Sequence, residues 1–168
     1  MRTLQELQEI FCDATANTWH QHANGGGWVQ NTATVAESVY VGENALVYGN
    51  AQVRDTVVIS GSAQVYGDAQ VAGNAKVYGN ARVCDTAKVY GAARAYGSAL
   101  VFHQAEVSGT AKVYDMVRIY GTAEVFGNAQ VFGHAEVFGS ARVYGNACLY
   151  DDIRESGDER RRYAREYS

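Results

Sequence analysis

A chain of 168 residues with 14 basic and 18 acidic side chains carries a formal charge of −4, so bulk attraction to long nucleic acid or to an anionic membrane is not expected. The length fits one domain, and no apolar run approaches the roughly 20 residues of a membrane-spanning helix. Cys12, Cys84 and Cys148 are odd in number and far apart, which suits a reducing cytosol better than a disulfide framework. The N-terminus lacks the basic-then-apolar layout of a secretory signal. A cytoplasmic setting is the expectation.

Thr3 and Glu6 form a capping-box pattern, and Leu4, Leu7, Ile10, Phe11 and Ala14 fall on one face of a short helix. Such a helix suits a terminal cap over the open end of a repeat array. His20, Gln21 and His22 precede Asn24-Gly25-Gly26-Gly27, which reads as a hinge. Two histidines at i and i+2 can bind a metal, but no third ligand is near, and no metal site or cofactor is expected. Residues 1–26 thus read as a capping helix and linker.

From residue 27 to residue 150 one six-residue phrase recurs, plainest in VYGNAR at 77–82 and VFGNAQ at 125–130. Every sixth residue from Val29 to Leu149 gives (149 − 29)/6 + 1 = 21 positions, nineteen of them Val or Ile. Two residues before each stands a small or β-branched residue, mostly Ala. Small, polar, branched is the alternation of a short strand with one buried face. The Gly, Asn, Asp or Ser residues after it tolerate the positive φ of a sharp turn. Six residues therefore make one strand and one corner, and the absence of Pro keeps the backbone donors that a ladder needs.

Hexapeptide repeats of this kind signal parallel β-helices. The chain resembles the left-handed β-helix of hexapeptide-repeat proteins, a family that includes trimeric acyltransferases and gamma-class carbonic anhydrases. Its YGNA phrasing, with the aromatic residue before Gly as in Tyr78-Gly79, is similar to uncharacterised bacterial and phage hexapeptide proteins. The resemblance implies an all-β, single-stranded left-handed parallel β-helix of about seven triangular coils with short terminal helices, and a homotrimer.

Coils of 18 residues stack position i on i+18. One face then reads Tyr40, Val58, Lys76, Arg94, Lys112, Gln130, Cys148, beside a corner column of Gly42, Ser60, Tyr78, Tyr96, Tyr114, Phe132, Tyr150. A second reads Trp28, Leu46, Gln64, Arg82, Leu100, Arg118, Glu136, whose Leu46 and Leu100 suggest a partner surface. The third, from Thr34 to Arg142, mixes charges, and its small corner residues Ala36 and Ala72 leave room for a groove.

Past Leu149 the phrase dissolves. Ser156 and Glu159 open a predicted charged helix through Arg160, Arg161, Arg162, Tyr163, Arg165 and Tyr167, so residues 151–168 form a third segment.

The catalytic patterns of the family do not transfer. Acyl transfer there uses a histidine and inserted loops, and no insertion breaks this repeat. Cys84, Asp85 and His103 are brought near one another by the 18-residue step, where Asp85 could orient the imidazole; a quiet hydrogen bond at the ladder edge is the favoured reading. Asp152 is similarly placed beside His134. The sequence favours a non-catalytic solenoid that binds or sequesters a small anionic ligand, a nucleotide signal being the best fit. Lys76, Arg94 and Lys112 would meet phosphate while Tyr78, Tyr96 and Tyr114 stack on a base. An acetyl-CoA-dependent acyltransferase and a protein-docking scaffold are the alternatives.

Overall fold

The structure is a computed structural model and describes residues 2–151 and 154–156. It is a parallel β-solenoid, as the repeat predicts. After the first strands, the chain visits three sheets in rotation, so that neighbours within a sheet are three strands apart in sequence. Sheet I has nine strands, and sheets II and III have seven each. Sheet I carries Trp28 through Glu136 on its outer surface, sheet II Thr34 through Arg142, and sheet III Tyr40 through Cys148. The register is uniform: Arg82 opposite Leu100, Lys88 opposite Glu106, Lys76 opposite Arg94.

Most of the strands are only two residues long, too short to persist alone. Their order comes from the coil above and below. Lys76 donates its backbone N–H to Ala93 at 2.9 Å, and Tyr78 donates to Ala95 at 3.0 Å, a step repeated along the chain. Inside, Ala75, Val77, Ala81 and Val83 are fully buried, like nearly all their counterparts. Each buried Val contributes on the order of 1.5–3 kcal/mol relative to exposure.

The corners share one backbone conformation. From residue 49 to residue 151, every sixth residue has φ between +56° and +74°. Most are Gly, but Asp55, Asp85, His103, Asp115 and Asp151 occupy the same slot. Asp and His are among the residue types that enter this region most readily. Hydroxyls then pin the corners: Thr86 donates to the His103 carbonyl at 2.9 Å, Thr122 to that of Gly139 at 3.0 Å.

The N-terminal segment differs from the expected cap and linker. The helix α1 (Leu4–Gln8) forms with the Thr3–Glu6 capping box in place. It does not sit on the open end of the first coil. With Ala14, Trp19 and Phe11 it packs on the outside of sheet I, against Trp28, Leu46 and Tyr48. Leu46 is therefore buried at 1% exposure and offers no partner surface, while Leu100 stays half-exposed. Strand β1 (Trp19–Gln21) pairs antiparallel with β2 (Trp28–Gln30), closing the sheet edge.

His22 is no linker residue either. It is buried and its Nε2 lies 2.9 Å from the Val39 carbonyl. The Asn24–Gly27 stretch is a pairing segment, with Val41 donating to the Asn24 carbonyl and Gly27 donating to that of Val41, both at 2.9 Å. A Cβ on Gly25 would lie 2.3 Å from the Val41 carbonyl oxygen, which explains the glycine run by close approach.

At the other end a strand at Arg154–Ser156 pairs with Glu136–Phe138 in sheet I, so the ladder continues past residue 150. Residues 154–156 of the segment expected as a charged helix are thus strand, while the helix expected beyond Ser156, and Asp152, lie outside the described residues.

Gly79 has φ of +72°, and a Cβ there would sit 2.9 Å from the Gly97 carbonyl oxygen. Gly79→Val should cost at least 1–2 kcal/mol, read as a lower chemical denaturation midpoint. Gly79→Asp, which copies the residue found at position 85, should cost clearly less.

Candidate functional site

Sheet III brings Lys76, Arg94 and Lys112 onto consecutive rungs, each directly opposite the next. Backbone pairing fixes their spacing at about 4.8 Å. Four cations on the other sheets are paired, while Arg82 on sheet I is a single rung with no ion pair among the described residues. Lys88 meets Glu106 at 2.9 Å and Arg142 meets Glu124 at 2.9 Å on sheet II. On sheet I, Glu136 receives Arg118 at 3.4 Å and Arg154 at 3.1 Å. Among the described residues, no carboxylate pairs with the three cations of sheet III.

The corner column beside them is a continuous aromatic stack. Tyr78, Tyr96, Tyr114, Phe132 and Tyr150 succeed one another with ring centroids 4.8, 4.8, 5.1 and 5.6 Å apart and planes within 18° of parallel. Both faces of Tyr96 and Tyr114 are thus taken by neighbouring rings. Burial pushes the Tyr96 phenol up, with the flanking tyrosines adding to the shift. A base cannot lie on those faces; the ring edges are what the column presents to a ligand on sheet III.

Cys84, Asp85 and His103 come together, but not as a catalytic set. The Asp85 carboxylate accepts the backbone N–H of His103 at 3.0 Å, not its imidazole. Asp55 does the same for Gly73 at 2.7 Å and Asp115 for Gly133 at 3.2 Å. The three aspartates are one structural device, a positive-φ residue whose side chain satisfies the next corner's donor. The exposed His103 ring rests beside Phe102, 4.6 Å between centroids. Cys84 is buried, and burial pushes its thiol up. The Tyr66 phenol is also raised, chiefly by burial, with the neighbouring Cys84 thiol adding to the shift. A raised thiol is a poor nucleophile.

Sheet II carries shallow depressions between its corners. One of about 480 Å³ is lined by Thr86, Lys88, Gln104, Glu106, Thr122 and Glu124. Another of about 380 Å³ includes Arg54, Gln70, Ala72 and Tyr90, where the small corner residues predicted a groove. Glu106 links them: it accepts Lys88 Nζ at 2.9 Å and Tyr90 Oη at 3.2 Å. The Lys88 ammonium is correspondingly raised. The sequence columns did not single out Tyr90, although its neighbours at 72 and 108 are both small.

The described residues hold no group of three or more His, Cys, Asp or Glu suited to a metal ion. No helix among them is long and apolar enough to cross a membrane. The fold defines the class as a three-sheet parallel β-solenoid of 18-residue coils. No family model, curated protein or solved structure matches the chain significantly.

All three cysteines are free thiols. Exposed Cys12 should react with a maleimide at neutral pH within minutes, whereas Cys84 should react only on unfolding. Rapid labelling of native Cys84, read by peptide mass spectrometry, would contradict the buried, raised thiol.

Proposed function

We propose that this protein is a non-catalytic binding solenoid whose ligand is a small multivalent anion held along sheet III. The observation that carries the reading is the ladder of Lys76, Arg94 and Lys112, three cations on consecutive rungs without carboxylate partners among the described residues. Like charges this close repel one another, and an anion spanning two rungs relieves that repulsion. The rungs are fixed by the backbone ladder, so binding orders little chain and loses little entropy.

A nucleotide is the proposed ligand, its phosphates on the cations. The edges of Tyr96 and Tyr114, rather than their faces, border it, with Tyr78 at the end of the stack. In the hexapeptide-repeat reading the coils are left-handed and three copies assemble, which lets a neighbouring subunit cover the ligand and sequester it. An acyltransferase has less support, because the Cys84, Asp85 and His103 group has a structural explanation in each of its members.

Calorimetry with mono-, di- and cyclic nucleotides tests the reading. Wild type should bind at least one, with affinity falling as salt rises, and Arg94→Glu should weaken it tenfold or more, about 1.4 kcal/mol. Absence of binding by wild type, or indifference to the charge reversal, leaves the ladder without this role. Sedimentation showing a stable monomer at micromolar concentration would remove the intersubunit part of the proposal.

A further inference from the structure

The corner rings of this solenoid stack, with one exception. The columns containing Tyr48, Tyr78, Phe102 and Phe126 each place a ring 4.8–5.3 Å from the next one. Among the described residues, Tyr90 is the corner ring without an aromatic neighbour. One rung away on either side stand Ala72 and Ser108, and the next ring along is Phe126. Tyr90 is 40% exposed, yet its ring is fixed, because Glu106 accepts its hydroxyl at 3.2 Å while holding Lys88 at 2.9 Å.

Two rungs separate Tyr90 from Phe126, a span of about 9.6 Å at the usual strand spacing. Tyr96 lies 4.8 Å from a ring on each side in the neighbouring column. A planar group on the Ser108 rung would have the same surroundings as Tyr96. A cavity of about 230 Å³ occupies this place, lined by Tyr90, Glu106, Ser108, Glu124, Phe126 and Arg142.

We propose that the slot between Tyr90 and Phe126, floored by Ser108, receives a nucleobase bearing amino donors. The two rings supply stacking faces, which every base can use. The wall is polar. Glu106 and Glu124 lie on adjacent rungs, and a carboxylate accepts more hydrogen bonds than the one or two each already makes. A plain hydrocarbon ring would desolvate those carboxylates without return, whereas an amino-substituted base meets them. The Arg142 guanidinium, 5.1 Å from the Phe126 centroid and 2.9 Å from Glu124, holds the far wall in place. The slot uses none of the sheet III cations, and it stands whether or not phosphate binds there.

Uncharged nucleosides therefore isolate it. In calorimetry with adenosine, cytidine and guanosine, wild type binds at least one, and Arg94→Glu binds it equally well. Ser108→Phe fills the slot by completing the stack and should weaken binding about tenfold or more, while circular dichroism and melting stay native. Tyr90→Leu, which removes one stacking wall, serves as the second variant and should weaken it similarly. N6,N6-dimethyladenosine, lacking the amino donor, should bind more weakly than adenosine. Absence of nucleoside binding by wild type, or equal binding by folded Ser108→Phe and Tyr90→Leu, overturns the site. Equal binding of the dimethylated nucleoside overturns the role given to the carboxylates.

Discussion

Every feature of this molecule depends on one hydrogen-bond step, from a backbone N–H to the carbonyl seventeen residues later. Two-residue strands supply almost nothing by themselves, so each coil is ordered by the coil it rests on. The step tolerates no insertion within a strand, since one extra residue there would exchange inward and outward side chains. It also forces each corner through a left-handed residue at a fixed position. That constraint selects Gly first, and Asp or His where the side chain can also serve. Asp55, Asp85 and Asp115 do serve, each capping a donor one coil on.

Uniform register turns composition into surface. A residue type repeated every 18 positions becomes a column, and whatever it does, it does along a line. Rings become stacks, as from Tyr78 to Tyr150. Opposite charges become ion pairs, as on sheet II. Such exposed pairs contribute little to stability, yet they quiet the surface. Against that background three unpaired cations on consecutive rungs of sheet III and the unstacked ring of Tyr90 stand out.

The solenoid was legible because its period is unbroken: the placement of Lys76 opposite Arg94 comes from subtraction alone. The corner chemistry is legible too, since Asp55, Asp85 and Asp115 stand where the repeat has Gly. Cys84, Asp85 and His103 form a cluster by residue type, but the favoured reading of a quiet hydrogen bond at the ladder edge is what Asp85 makes, to the His103 backbone N–H. An Asp standing where a repeat has Gly announces a backbone conformation before it announces a proton transfer. The N-terminal segment was least legible, since it lies outside the repeat. Its apolar face on Leu4, Leu7 and Phe11 said that it covers something. Trp28 and Leu46, apolar at outward positions, were the surface it covers, and that match was available from the sequence.

A rigid solenoid restricts the kind of function open to it. Catalysis by closure needs a segment that can open and shut, and coils locked above and below by ladder bonds have little freedom to do so. What such a body offers is a ruler: groups held about 4.8 Å apart along straight columns, already in place before a ligand arrives. In the proposed binding, selectivity would come from which rungs carry a ring, a charge or nothing bulky. At residues 54, 72, 90, 108, 126 and 144 the order is Arg, Ala, Tyr, Ser, Phe, Tyr. Two small residues alternate there with larger side chains, so the spaces are set by the same register that builds the core. On the binding proposed above, substituting the small residues would change what the column accepts while leaving the ladder beneath it intact.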